Sequence, residues 1–249
     1  MLASRTRLDR FISREIGINR RDVRGLLAQG RVLVDGEIAR DIQQAVHQFT
    51  KVSVDGKIIQ DNQPRYLMMN KPAGVVSATK DKQHTTVIDL INDSDELNRE
   101  ELHIVGRLDF NSTGLLLLTN DGRWSRDLSL PENSVQKRYR VELEDPIINE
   151  ADNMITAFSE GIYFEYEEIT TQPAVLRIIS ERVAELDITD GRYHQIKRMF
   201  GRYQNKVLAL HRYAVGNLTL DTSLEPGQYR QLTNREITEI FDPDRDSTG

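Results

Sequence analysis

The chain has 249 residues, 38% hydrophobic and 29% charged, an ordinary globular composition with enough length to build one large core or two smaller ones. It contains no cysteine, which excludes disulfides, a thiol nucleophile, iron–sulfur clusters and cysteine zinc sites, and which fits a reducing cytoplasm. The net charge of −6 hides an asymmetry: residues 1–60 carry eleven Lys/Arg and seven Asp/Glu, a net +4, against −10 for the remainder.

A basic head on an acidic body points to a polyanionic partner for the head; a solvated charged helix face accounts for the charge alone equally well. Apolar runs such as Leu115–Leu118 are far too short to span a bilayer, so no membrane span is expected. The opening residues Met1–Arg7 hold no apolar stretch and no small-residue cleavage pattern, so no leader peptide is expected either.

In chain order, Leu8, Phe11, Ile12 and Ile16 form one stripe of an amphipathic helix that Gly17 ends. Asn19 is placed to cap a second helix, whose stripe is Val23, Leu26 and Leu27 and which Gly30 closes. Val32–Ile38 and Val52–Ile58 each read as two short strands around an Asp-Gly hairpin turn. Arg5, Arg7, Arg10, Arg14, Arg20, Arg21 and Arg24 lie mostly off the apolar stripes and so face solvent, where a guanidinium can fork onto phosphate. With Arg7-Leu8-Asp9-Arg10 opening and Gly30-Arg31-Val32-Leu33-Val34-Asp35-Gly36 closing, the head resembles the S4 RNA-binding module. The expected division is an S4-like domain over 1–59, a polar linker over 60–64, a larger domain over 65–241 and a tail over 242–249.

From Arg65 the texture changes to short strand-like runs. Tyr66–Asn70 and Val75–Thr79 read as strands around a Lys71-Pro72-Ala73-Gly74 turn, and Thr86–Ile91 as a short helix. His103–Asp109 reads as a strand entering a polar turn, Leu115–Leu118 as a buried strand, and Arg123–Leu130 as a helix capped by Asp121 and ended by Pro131. Lys137–Leu143, Ala174–Ile179 and Ala184–Thr189 read as strands, Glu150–Glu160 as a helix, and His194–Phe200 as a helix start. The expected class is α+β: a small N-terminal α/β domain, and a larger domain with a mixed, mainly antiparallel sheet and few helices.

Three segments can carry chemistry. An Asp at the end of a strand, as in Gly106-Arg107-Leu108-Asp109, sits where reactive groups are often found, although an isolated Asp there is more often a turn cap. Lys137-Arg138-Tyr139-Arg140 also reads as an exposed basic strand. Gly191-Arg192-Tyr193-His194-Gln195-Ile196-Lys197-Arg198 puts cations at a helix start, against the dipole, and that cost without structural return favours function. No phosphate loop, dinucleotide fingerprint or Gly-x-Ser-x-Gly is present, and the five histidines show no metal spacing, so no metal site is expected.

Gly106-Arg107-Leu108-Asp109-x-x-Ser112-Thr113-Gly114 through Asp121-Gly122, then Lys137-x-Tyr139, then Gly191–Met199 resemble the three signature segments of pseudouridine synthases, and Asn70-Lys71-Pro72-x-Gly74 is similar to the family's first segment. The leading S4 module and the Arg-x-His-Gln-x-Lys-Arg-Met form resemble the RsuA branch, whose members modify ribosomal RNA. The resemblance implies a cofactor-independent isomerase acting on a flipped-out uridine, with ribosomal RNA as partner: 16S RNA or a small-subunit assembly intermediate, and uridine 516 as the target. A monomer in the cytoplasm is expected.

The resemblance also assigns roles. Asp109 is the catalytic carboxylate, Arg192 its ion-pair partner, and Tyr139 the ring against the uracil. Strand alternation puts Arg107, two residues before Asp109, on the same face as the Asp side chain, a candidate to fill the vacated stack or hold an adjacent phosphate. Ile188 and Ile196 form the apolar wall; Lys71, Gln195, Lys197 and Arg198 contact the RNA backbone; Arg5, Arg7, Arg10, Arg20, Arg21, Arg24 and Arg31 bind RNA from the head. Three routes stay open for Asp109: attack at C1′, attack on the base, or removal of the C2′ proton to give a glycal. The alternatives are a 23S RNA enzyme of the same branch, a non-enzymatic RNA-binding assembly factor, and a nucleoside hydrolase-like enzyme that releases uracil.

Overall fold

The structure is a computed structural model that describes residues 5–92, 98–148 and 150–241. The expected tail over 242–249 lies outside the described residues. The chain falls into two compact units, Met1–Pro64 with Asp121–Arg123, and Arg65–Asn120 with Trp124–Gly249.

In the first unit, β1 (Thr6–Arg7) leads into α1 (Leu8–Ile16), which Gly17 ends in the left-handed conformation at φ 70°. Next come α2 (Arg20–Ala28), β2 (Val32–Val34), β3 (Glu37–Ile38), β4 (Ala45–Val46), β5 (Val52–Val54) and β6 (Lys57–Gln60). Strands β3-β2-β5-β6 form one antiparallel sheet, and β1 pairs with β4. Asp35 and Gly36 both have positive φ, as do Asp55 and Gly56, the geometry that lets a two-residue turn follow the strand twist. Leu8, Phe11, Ile12, Val23 and Leu27 pack onto Val32, Val34, Val52 and Val54 in a single core. Asn19 stands at the N-cap of α2, but its side chain accepts no capping hydrogen bond. Gln60 belongs to β6 and its amide donates to the carbonyls of His47 and Thr50, so it is part of the head rather than of the linker.

The second unit is built on β7 (Tyr66–Lys71), β8 (His103–Val105), β9 (Thr113–Thr119), α3 (Gly122–Ser129), β10 (Lys137–Leu143), α4 (Ala151–Glu160), β11 (Tyr163–Phe164), β12 (Ile169–Thr170), β13 (Val175–Ser180) and β14 (Val183–Ile188). It ends with α5 (Gln195–Gly201), β15 (Val207–Val215), β16 (Leu218–Thr219), β17 (Tyr229–Gln231) and α6 (Asn234–Glu239). The main sheet runs β13-β14-β10-β15-β9-β7-β17, with β8 on β9 and β16 on β15. All its pairings are antiparallel except β9 with β15, so the sheet is mixed but mainly antiparallel and the class is α+β.

The run Leu115–Leu118 is apolar without alternation because both faces of β9 are covered. Leu116 and Leu118 enter the core under α4 with Phe158, while Leu115 and Leu117 pack with Trp124 and Leu128 of α3. Each of these leucines is at most 1% exposed, worth about 1.5–3 kcal/mol of burial apiece. Gly114, at φ 104°, opens this strand where a Cβ would lie 2.2 Å from the Arg212 carbonyl oxygen, so the close parallel approach of β9 to β15 requires glycine.

Three sequence expectations are corrected. Val75–Thr79 is not a strand; only Val76 forms an isolated bridge, to Thr86. Thr86–Ile91 is a series of turns, because the Asp89 carboxylate accepts from the Thr86 backbone N–H and hydroxyl and offers the backbone a local alternative to a helix. The strand expected over His103–Asp109 stops at Val105, where Gly106 turns the chain at φ 71°.

Candidate active site

The second unit brings three separated segments to one end of its central strands. The Asp109 loop (106–112) feeds β9, Tyr139 lies in β10, and Ile188 ends β14, opposite Lys137 in the β10–β14 register. A pocket of about 70 Å³ is lined there by Arg107, Asp109, Tyr139, Ile188, Arg192, Gln195, Ile196 and Lys197, with His194, Ser112 and Leu210. Every catalytic residue named from sequence therefore lines one pocket, along with most of the expected substrate contacts. Among the described residues no group of three or more His, Cys, Asp or Glu side chains is placed to hold a metal ion.

Asp109 is half-buried rather than sealed, its side chain 29% exposed. Its charge partner is not Arg192. Lys197 donates to Oδ2 at 2.8 Å and the His194 ring lies 3.6 Å from Oδ1. Arg192 instead lies 3.5 Å from Asp190. Lys197 stands in the first turn of α5 and His194 is its N-cap, and both reach Asp109, while Arg192 precedes the helix and lies beside Asp190. His194 itself sits at φ 49°, a strained conformation for a side-chain-bearing residue, with its ring stacked on Tyr193 at 3.9 Å.

The loop carrying Asp109 is held from behind by Lys71. This lysine is wholly buried, and its ammonium donates to the carbonyls of Pro72, Asp109, Phe110 and Ser112 at 2.9–3.3 Å. Burial pushes it from 10.5 down to about 8, against the pull of the nearby Asp109 charge. Ser77 holds the strand side of the loop, donating to the Leu108 carbonyl and accepting from its N–H. The expected contact of Lys71 with RNA is thus corrected: a side chain with no exposed surface positions the loop instead.

Gln195 is corrected in the same way. It is buried, donates to Asp190 at 2.5 Å and accepts from the Arg192 N–H, so it braces the turn before α5. Arg198 is held over the Phe164 ring at 3.7 Å and paired with Glu167, so it is engaged within the protein. Arg107 is exposed and lines the pocket, but it lies beyond the end of β8, so strand alternation does not set its face.

Tyr139 is buried in the pocket wall, its hydroxyl accepting from Arg212 at 3.4 Å. Ile188 and Ile196 are buried and supply the apolar wall, with Leu210 added from β15. Leu210 and Arg212 are site residues that the sequence reading of roles did not include, because β15 was not anticipated. In the head, Arg5, Arg10, Arg20, Arg21 and Arg24 are exposed, whereas Arg7 is tied to Asp9 and Arg31 forks onto Asp55 at 2.5 and 2.7 Å.

A family profile described as RNA pseudouridylate synthase matches residues 65–201, and one described as S4 domain matches residues 6–49. The chain is 47% identical over 235 residues to ribosomal small subunit pseudouridine synthase A of Pseudomonas aeruginosa, covering 94% of this chain and 100% of that protein. It is 42% identical over 239 residues to the Escherichia coli K12 protein of the same name, covering 94% and 99%. A crystal structure of a pseudouridylate synthase is similar over 94% of this chain and 99% of its own, at 36% identity and a TM-score of 0.67.

Proposed function

The chain belongs to the RNA pseudouridylate synthase family, and on that premise we propose that it isomerises one uridine of 16S ribosomal RNA, uridine 516, at the Asp109 pocket. It is an isomerase with an S4 domain at its N-terminus. Support for the small-subunit RNA comes from the names of the relatives.

The observation that carries the reading is that Asp109 is the one carboxylate lining its pocket among the described residues, set beside Tyr139, Ile188 and Ile196. Hydrolysis of a glycosidic bond ordinarily uses two carboxylates about 5–10 Å apart, one of them an acid. Isomerisation needs one. The N1–C1′ bond breaks, the retained uracil turns, C5 joins C1′, and the proton lost from C5 is balanced by one gained at N1. No atom enters or leaves, so the chemistry calls for no cofactor.

The target base is first extruded from the RNA, at a cost of a few kcal/mol. In the pocket Tyr139 packs against its face and the isoleucines shield it from water. Lys197 donates to Oδ2 of Asp109 and leaves Oδ1 beside the His194 ring. The Tyr139 hydroxyl, already accepting from Arg212, has its own proton to offer as the uracil rearranges. The exposed arginines of the head supply sequence-independent attraction to the phosphate backbone.

The test is a comparison of ribosomal RNA from cells with and without the gene, using carbodiimide adducts and primer extension. The expected result is a stop at uridine 516 of 16S RNA that vanishes on deletion, returns with the wild-type gene and does not return with Asp109→Asn. Modification by Asp109→Asn overturns the assignment of the carboxylate. A stop lost from 23S RNA instead reassigns the substrate, and free uracil released from RNA makes the enzyme a hydrolase.

A further inference from the structure

Beside the Asp109 pocket lies a larger one of about 320 Å³, with Arg107, Tyr139, Gly191 and Arg192 common to both linings. Its walls carry four cations, Arg107, Lys137, Arg192 and Arg212, against a single carboxylate, Asp190. Two of the four are drawn away from water, Arg212 fully and Lys137 in part. Arg212 is 3% exposed; its Nε donates to the Leu115 carbonyl and its Nη1 to Tyr139, but the buried Nη2 has no partner. Lys137 spends one donor on the Thr189 carbonyl at 2.9 Å, and burial together with the Arg212 charge pushes its ammonium down, with Asp190 opposing.

Gathering like charges around a part-dry cavity, with a buried guanidinium nitrogen unsatisfied, is destabilising unless an anion answers them. Among the described residues the lining offers only Asp190, whose carboxylate is already engaged by Gln195 and by the Gln172 N–H. Arg192, whose Nε is 3.5 Å from Asp190, keeps both Nη groups for a planar fork onto an oxyanion. The remaining lining, Val105, Leu128 and Pro131 among it, is apolar and suits a sugar or base face.

We propose that this second pocket is a phosphodiester subsite, taking the backbone phosphate next to the nucleotide whose base enters the Asp109 pocket. Lys137 and Arg192 are its donors, and Arg212 is the buried charge behind them. The assignment rests on the uridine-isomerising reading, because the walls shared by the two pockets put the anion within one nucleotide of the reacting base.

The experiment uses the full chain and a 16S RNA fragment containing uridine 516, with neutral methylphosphonate linkages introduced one at a time around that nucleotide. Dissociation constants are measured for wild type, Lys137→Met and Lys137→Arg. One neutral linkage adjoining the target weakens binding to wild type by about tenfold, the size of one charge-assisted hydrogen bond. Lys137→Met already lacks one of the two donors, so the same linkage costs it clearly less than it costs wild type, the remainder being the share of Arg192, and Lys137→Arg restores the full sensitivity.

The proposal is overturned if no single linkage adjoining the target is felt, or if the penalty is equal in wild type and Lys137→Met. Inorganic phosphate distinguishes a free anion as the occupant: phosphate that binds wild type without displacing the RNA also overturns it. Failure of the parent reading appears separately, as an unmodified fragment that is bound but not converted to pseudouridine.

Discussion

Replacing Lys71 by Met keeps the length and apolar stem of a side chain that never meets solvent and removes its ammonium alone. Four carbonyls then lose a donor. Those of Asp109 and Phe110 retain the backbone N–H groups of Ser112 and Gly74, so the Pro72 and Ser112 carbonyls bear most of the loss. At roughly 1–3 kcal/mol per buried carbonyl left short, and with the desolvation of the ammonium recovered, the variant is expected to be less stable by about 3 kcal/mol. The catalytic effect is larger in proportion, because the Asp109 loop loses its anchor and a misplacement of about 1 Å is worth roughly 10²-fold in rate. Steady-state assays on RNA should show the loss in kcat, with KM nearly unchanged, since Lys71 has no surface to offer a phosphate. The pH dependence checks the same point. The folded-state value, about 8, lies below the 10.5 of the unfolded chain. Between these values the unfolded chain holds a proton that the folded one has released, so the stability of wild type relative to Lys71→Met rises with pH across that window. A variant with full kcat, a loss confined to KM, or a stability difference flat from pH 8 to 10.5 would refute the anchoring role.

Two further outcomes follow from the ion pairs. Lys197→Met should lower kcat by about tenfold, a modest figure because both partners are about a third exposed and screened by water, whereas Arg192→Met should act mainly on RNA affinity; equal kcat losses in the two variants would return Arg192 to the side of Asp109. In the head, changing Arg20, Arg21 and Arg24 together to Gln should flatten the plot of log affinity against log salt by about 0.7–0.9 for each phosphate no longer neutralised. Arg31→Gln should change that slope less, because Arg31 is already forked onto Asp55; a larger effect from Arg31 than from the α2 arginines would place the RNA on the sheet instead of the helix.

What could be seen in the sequence was whatever a single period or a single motif records. The amphipathic stripes of α1 and α2, the two Asp-Gly hairpins and the doubly buried Leu115–Leu118 run are local patterns, and each has the element it implies. The turn-forming stretch 86–91 and the strand β15 were not legible for opposite reasons. Thr86 and Asp89 satisfy each other through side chains, which a periodicity of apolar residues does not register. In β15 the apolar run is interrupted by His211 and Arg212, and the burial of that guanidinium depends on the Leu115 carbonyl and the Tyr139 hydroxyl, supplied by two other strands. Lys71 was hidden by the same kind of dependence, since a lysine is assigned to the surface until three carbonyls from a distant loop, with that of the adjacent Pro72, are seen around it. The site itself had one physical signal beyond its motifs. Lys197 stands in the first turn of α5, where the helix dipole disfavours a cation, and an unfavourable placement of that kind implies a carboxylate brought from elsewhere in the chain, whereas Arg198 falls in the last turn of this short helix. The structure supplies it in Asp109. Position along the helix therefore selects the cation that pairs with Asp109: Lys197 stands in the first turn of α5, while Arg192, before the helix, lines both pockets and lies 3.5 Å from Asp190.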